Sequence, residues 1–136
     1  MTNWLSDAEV FRLMRTELFT AVVGDVMDKM GLQTQFLPPY LSVLDRSMII
    51  AGRAMTVLEA DVFEETSEGS ANPLMSKPFG LMFEALDSLS ENDVYICSGS
   101  SPRFALWGGL MSTRALHLGA AGAILDGFVR DSKEIL

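Results

Sequence analysis

Apolar and polar residues follow two rhythms along this chain. From Ser6, whose hydroxyl suits a helix N-cap, apolar residues recur at Val10, Leu13 and Met14, with Asp7 and Glu9 in the first turn; this spacing predicts a helix. Thr20 suits the cap of a second helix running to about Met30, and Gly31 stands where a glycine ends such a helix. Residues 32–47, with Pro38-Pro39, read as a connection. Residues 48–58 (MIIAGRAMTVL) predict a strand with a bulge at Gly52. Residues 61–78 turn acidic, then rich in Ser, Asn and Pro, and read as a loop. Phe79 to Leu89 predict a helix, with apolar positions at 79, 82, 83 and 86. Residues 93–97 (DVYIC) predict a short buried strand after the Asn92-Asp93 turn signal.

The last third carries the clearest pattern. SGSSPRFALW reads as a Ser/Gly loop, GGLMSTRALHL as a helix ended by Gly119, and GAILDG as a second buried strand followed at once by FVRD. Strand, helix and strand in succession make a βαβ unit, whose crossover pairs its strands in parallel. The fold class expected is therefore α/β. No internal repeat or low-complexity tract is present.

Composition narrows the functional classes. The 136 residues are 49% apolar and 21% charged, as in a single globular domain. No apolar run approaches the roughly 18 residues of a membrane span. The N-terminus lacks the basic start and apolar stretch of a signal peptide. The one cysteine, Cys97, excludes an intrachain disulfide and fits the cytoplasm. The net charge of -8, with ten scattered Lys and Arg, argues against direct nucleic-acid binding. It suits a basic protein partner or a carboxylate-held metal. No Walker loop or G-x-G-x-x-G is present, so nucleotide binding has no support.

Open α/β sheets hold ligands beyond the carboxyl ends of their strands. If residues 93–97 and 122–126 are parallel neighbours, that edge gathers the loop 98–107, the helix start at Gly108 and the stretch Asp126 to Asp131. Gly108 and Gly109 let an anion approach the free N–H groups of a helix start. Arg130 adds a planar fork matched to a carboxylate, and Asp131 a hard oxygen ligand suited to Mg²⁺. Such an edge suits a metal-bound 2-keto acid. The plain alternative is an exposed ion pair with glycines serving only the turn.

The stretch Leu106 to Asp131, LWGGLMSTRALHLGAAGAILDGFVRD, resembles the signature of the RraA-like family, which includes regulator of ribonuclease activity A and the 4-hydroxy-4-methyl-2-oxoglutarate aldolases. TAVVGDVMDKMG at 20–31, IAGRAMTV at 50–57 and DVYIC at 93–97 extend the resemblance upstream. It implies an RraA-like α/β/β/α swivelling fold assembled as a homotrimer or hexamer, and a metal-dependent lyase releasing pyruvate from a small 2-keto acid. Carried over, Asp131 is the Mg²⁺ or Mn²⁺ ligand, and Arg130 holds the substrate carboxylate and keto oxygen. The backbone at Gly109, Leu110 and Met111 binds the carboxylate, and Arg130 and Asp131 are the catalytic pair. Two departures stand out. The family carries an acid where this chain has Gly109. Related chains also continue past the Arg-Asp pair, so the C-terminal part of the family domain is expected to be absent and the central sheet incomplete. A catalytically weak or inactive regulatory binding protein of the ribonuclease-regulator type and a shortened remnant are the competing readings.

Other residues read more plainly. His117 belongs to its helix end, Cys97 to the core, and Asp126 to a turn with Gly127. Asp25 is either structural or reaches a site from a neighbouring subunit. Arg103 is either a solvated loop cation or a substrate contact. Lys29, Lys77 and Lys133 lie outside the predicted buried strands, which disfavours Schiff-base chemistry.

Overall fold

The computed structural model describes residues 6–61 and 79–136. Residues 62–78 of the expected loop, Lys77 included, lie outside the described residues. The chain divides into two compact units, residues 1–52 and 53–136.

The first unit holds α1 (Asp7–Glu17) and α2 (Thr20–Lys29). Ser6 caps α1 as expected, its hydroxyl accepting from Glu9 N at 3.3 Å. Thr20 is not a cap: Phe19 occupies that position, without a side-chain bond, and Thr20 is already helical. Gly31 follows α2 with φ +82°, the left-handed conformation in which glycine commonly ends helices. Gly24 is buried, and any side chain there would run into the Phe36 ring. Arg15 donates to the Ala51 carbonyl at 2.7 Å, joining α1 to the end of this unit.

The second unit contains β1 (Arg53–Leu58), α3 (Met82–Asp87), β2 (Asp93–Ser98), β3 (Ala105–Trp107), α4 (Gly109–His117), β4 (Gly122–Leu125), β5 (Phe128–Val129) and α5 (Ser132–Ile135). A parallel sheet runs β1-β2-β4, with Val57 opposite Cys97 and Cys97 opposite Leu125. The expected βαβ crossover is thus β2-α4-β4. Hydrophobic pattern alone overstated two elements. The first strand starts at Arg53, not residue 48, and Gly52 precedes it rather than bulging it. The third helix starts at Met82 because Phe79 and Gly80 take positive φ and form a turn. The loop reading of SGSSPRFALW hid β3, which pairs in parallel with β5. Two- and three-residue strands leave too little pattern to detect.

Met55, Val57, Tyr95, Cys97, Ala123 and Leu125 share one sheet face through the period of two and the parallel register. Leu86 and Leu89 from the α3 region, Leu106 and Trp107 from β3, and Ala115 from α4 cover it. Burying such side chains is the main stabilising term. Arg114 on α4 donates to Asp87 on α3 at 2.8 Å, an exposed clasp worth little by itself. The start of β2 is held by its buried Asp93, which accepts from Ser90 N at 2.8 Å.

Two tests follow from this packing. Gly99 has φ +106°, and a Cβ there would meet Leu58 Cδ1 at 2.7 Å as well as the Glu59 carbonyl. Gly99→Ala is expected to cost about 2 kcal/mol in urea denaturation; a loss under about 0.5 kcal/mol would show that the turn relaxes freely. Burial, followed by the neighbouring Glu59 carboxylate, pushes the Cys97 thiol from 9.0 up to about 12. Because the folded state keeps this proton longer than the unfolded chain, the stabilisation is complete below pH 9.0 and is lost as pH rises toward about 12. Unfolding free energy should fall over that window in the native protein and stay flatter in Cys97→Ala.

Candidate functional site

The carboxyl edge of the second unit brings Arg130 and Asp131 to the start of α4. The β3-β5 pairing does this: Ala105 lies opposite Phe128 and Trp107 opposite Val129. Arg130 N extends the pairing by donating to the Trp107 carbonyl at 3.0 Å. Asp131 then takes φ +59°, ψ +32°, a left-handed conformation that Asp tolerates better than most residues. Its carbonyl accepts from Glu134 N at 2.9 Å and Ile135 N at 3.2 Å, opening α5.

This bend brings the Asp131 carboxylate to the start of α4. The N-cap position of α4, Gly108, has extended backbone and no capping side chain. Gly109 N donates instead to Asp131 Oδ2 at 3.1 Å, so the cap comes from 22 residues away. A negative carboxylate there also complements the positive helix end. Arg130 Nε lies 3.6 Å from the same oxygen. Both contacts engage Oδ2, and Oδ1 takes neither. The side chains are 72% (Arg130) and 45% (Asp131) exposed, so the pair adds little stability while remaining open to a ligand.

The two glycines differ in role. A Cβ on Gly108 would stand 2.9 Å from Asp131 Oδ2 and 3.1 Å from Arg130 Cγ, so close approach requires glycine there. At Gly109 the nearest atoms would be Asp131 Cβ at 3.5 Å, Oδ2 at 3.7 Å and Glu134 Cβ at 3.8 Å, ordinary contacts that leave room for a side chain. The expected anion cradle is therefore partly filled, since the Gly109 amide already serves Asp131. The next two amides, Leu110 and Met111, have no carbonyl available within their own helix. Leu110 is 83% exposed, whereas Met111 packs against the core.

Trp107 secures the helix start. Its ring lies 5.0 Å from Tyr95, centroid to centroid, and its Nε1 donates to Ser112 Oγ at 2.6 Å. Ser112 N in turn donates to the Gly108 carbonyl at 3.0 Å.

The donor set suits only a well-hydrated cation. Among the described residues no group of three or more His, Cys, Asp or Glu could hold a metal. One carboxylate with a free oxygen, completed by water and substrate oxygens, matches Mg²⁺ or Mn²⁺ rather than an ion needing an all-protein cage.

No hydrogen bond or ion pair described here joins the remaining candidates to Arg130 or Asp131. Cys97 is buried in the core, and His117 is exposed at the end of α4. Asp126 N donates to the Cys97 carbonyl at 2.8 Å, tying the end of β4 to β2. Arg103 is exposed on the loop before β3. Asp25 is exposed on α2 of the first unit. Glu134 and the anchoring role of Trp107 went unnoticed in the sequence; the three-residue spacing from Asp131 to Glu134, one helical turn, was the available signal for Glu134.

A family model described as RraA-like, aldolase/RraA, matches residues 20–136. No curated protein sequence matches the chain. Among solved structures, one described as novel cellulases from microbes associated with the gut ecosystem has a TM-score of 0.79 at 26% identity, covering 99% of this chain and 56% of its own. RraAS2 of Streptomyces coelicolor, described as an unusual member of the RNase ES inhibitor RraA protein family, has a TM-score of 0.72 at 19% identity, covering 95% and 59%. An uncharacterized protein of Pseudomonas syringae pv. tomato has a TM-score of 0.69 at 19% identity, covering 99% and 56%. The chain thus spans little more than half the length of these structures.

Gly108→Ala is expected to push Asp131 off the Gly109 amide and remove the helix cap. The loss should be about 1 kcal/mol, read by thermal unfolding, with little change in Asp131→Asn, where a cap oxygen survives. Equal stability of wild type and Gly108→Ala would mean that Asp131 does not cap α4.

Proposed function

Because the chain belongs to the RraA-like (aldolase/RraA) family, we propose that it is a divalent-metal-dependent carbon–carbon lyase. Its substrate would be a small 2-keto acid such as 4-hydroxy-4-methyl-2-oxoglutarate or oxaloacetate, and its product pyruvate. The observation that carries this reading is the juxtaposition of Asp131, Arg130 and the α4 start on one exposed edge. Asp131 Oδ1 is the oxygen left to face a bound Mg²⁺ or Mn²⁺. The metal, when bound, supplies Lewis-acid polarisation of the keto oxygen. The Arg130 guanidinium orients the substrate carboxylate and keto oxygen through its planar fork. The amides of Leu110 and Met111 offer further donors to that carboxylate, supported by the positive helix end. Gly109 bears no acid, so these residues supply positioning but no evident general base. Assembly as a homotrimer or hexamer in the cytoplasm belongs to the same proposal.

The second reading is a regulatory binding protein of the ribonuclease-inhibitor type. The missing carboxylate at Gly109 favours it, as does the net charge of -8.

Pyruvate release from the two acids decides between them. With Mg²⁺ present, release should occur and stop on chelation. Asp131→Ala should lower it on the order of 100-fold without unfolding the chain. Turnover that survives both the chelator and Asp131→Ala would refute the lyase reading. A folded wild type that releases no pyruvate, yet retains a basic protein partner at low salt only, would support the regulatory one. Position 109 offers an independent check, because its surroundings accept a side chain. Gly109→Asp should raise metal affinity by about 10-fold or more, measured by titration calorimetry; unchanged affinity would mean that position 109 does not face the metal.

A further inference from the structure

Three proton-bearing side chains share one sheet face of the second unit. Tyr95 and Cys97 lie two apart on β2. Val57 pairs with Cys97, and Glu59 follows two residues later, its amide continuing the pairing to the Ser98 carbonyl at 2.9 Å. The Glu59 carboxylate shares a hydrogen bond with the Cys97 thiol, and its charge is felt at the Tyr95 hydroxyl. Yet Glu59 Oε1 and the Tyr95 hydroxyl are both buried without a hydrogen-bond partner, Tyr95 being 0% exposed. Burial and the neighbouring Cys97 and Glu59 hold the phenol firmly protonated. A phenolic donor and a carboxylate acceptor left unpaired on one sheet face are costly, and a group that can both donate to a carboxylate and accept from a phenol suits them. A hydroxyl is the smallest substrate group that does so.

The cluster adjoins the site chemistry through the backbone. The Cys97 carbonyl holds Asp126 N at 2.8 Å, and the loop leaving β2 carries a third buried orphan, Ser101 Oγ, before running into β3 and the Gly108 helix start. Trp107, stacked on Tyr95, presents its own carbonyl to Arg130 N. We propose that Glu59 and Tyr95 form a subsite for the hydroxyl group of a hydroxylated 2-keto acid, selecting it over the same class of acid without a hydroxyl. This inference rests on the lyase reading for its substrate class.

Thermal-shift titration of the full chain with Mg²⁺ tests it, using 4-hydroxy-4-methyl-2-oxoglutarate and, as the acid lacking the hydroxyl, 2-oxoglutarate. Tyr95→Phe and Glu59→Gln should each weaken the hydroxylated acid about tenfold and leave the other unchanged. Tyr95→Phe deletes an orphan hydroxyl at constant shape and should remain folded; should it not, Glu59→Gln carries the test. Equal weakening of both acids, or unchanged discrimination as for a trapped water only, overturns the subsite while leaving the lyase reading intact. A wild type that binds neither acid overturns both.

Discussion

Trp107 holds together the parts of the second unit that build the candidate site. Its ring packs on Tyr95 in the core, its indole N–H fastens Ser112 in the first turn of α4, and its carbonyl receives the amide of Arg130. One residue therefore ties the buried sheet face, the helix start and the Arg-Asp pair. Large aromatic residues suit this part, since they bury much apolar area while keeping one polar handle. The small β3-β5 ladder gains its stability from this packing, because pairs of two- and three-residue strands have little of their own.

The site built on that anchor exchanges stability for access. An acidic cap from within the helix neighbourhood would satisfy the α4 start cheaply. Here the cap is a catalytic candidate, brought in by a left-handed bend at Asp131 and accommodated by the absence of a side chain at Gly108. A carboxylate shared between a helix amide, a guanidinium and solvent is already positioned for a ligand. The left-handed backbone at Asp131 is the kind of local strain that functional sites retain.

The interior behind this edge is more polar than its apolar wall suggests. Glu59, Tyr95 and Ser101 all leave buried atoms unpaired. A purely structural core of this size gains nothing from such groups, and they are the basis of the proposed hydroxyl subsite. Cys97 belongs to the same wall, but its raised proton affinity makes it a hydrogen-bonding neighbour rather than a nucleophile.

Much of this was legible in the sequence. Ser6 announced the first helix, Gly31 and Gly119 the ends of two others, and the apolar runs at 93–97 and 122–126 the parallel neighbours β2 and β4. Those signals are local: capping, positive φ and periodicity act over a few residues. The Arg130-Asp131 pair and the glycines at 108–109 were also visible, as residue types suited to an anion and a hard cation. Tertiary structure alone decided what these residues touch. That Asp131 would cap a helix 22 residues earlier, that Glu59 would lie over Cys97, and that β3 would exist at all depend on contacts between segments far apart in the chain. Such contacts have no period to read, because they are set by packing and not by the propensity of the residues that make them.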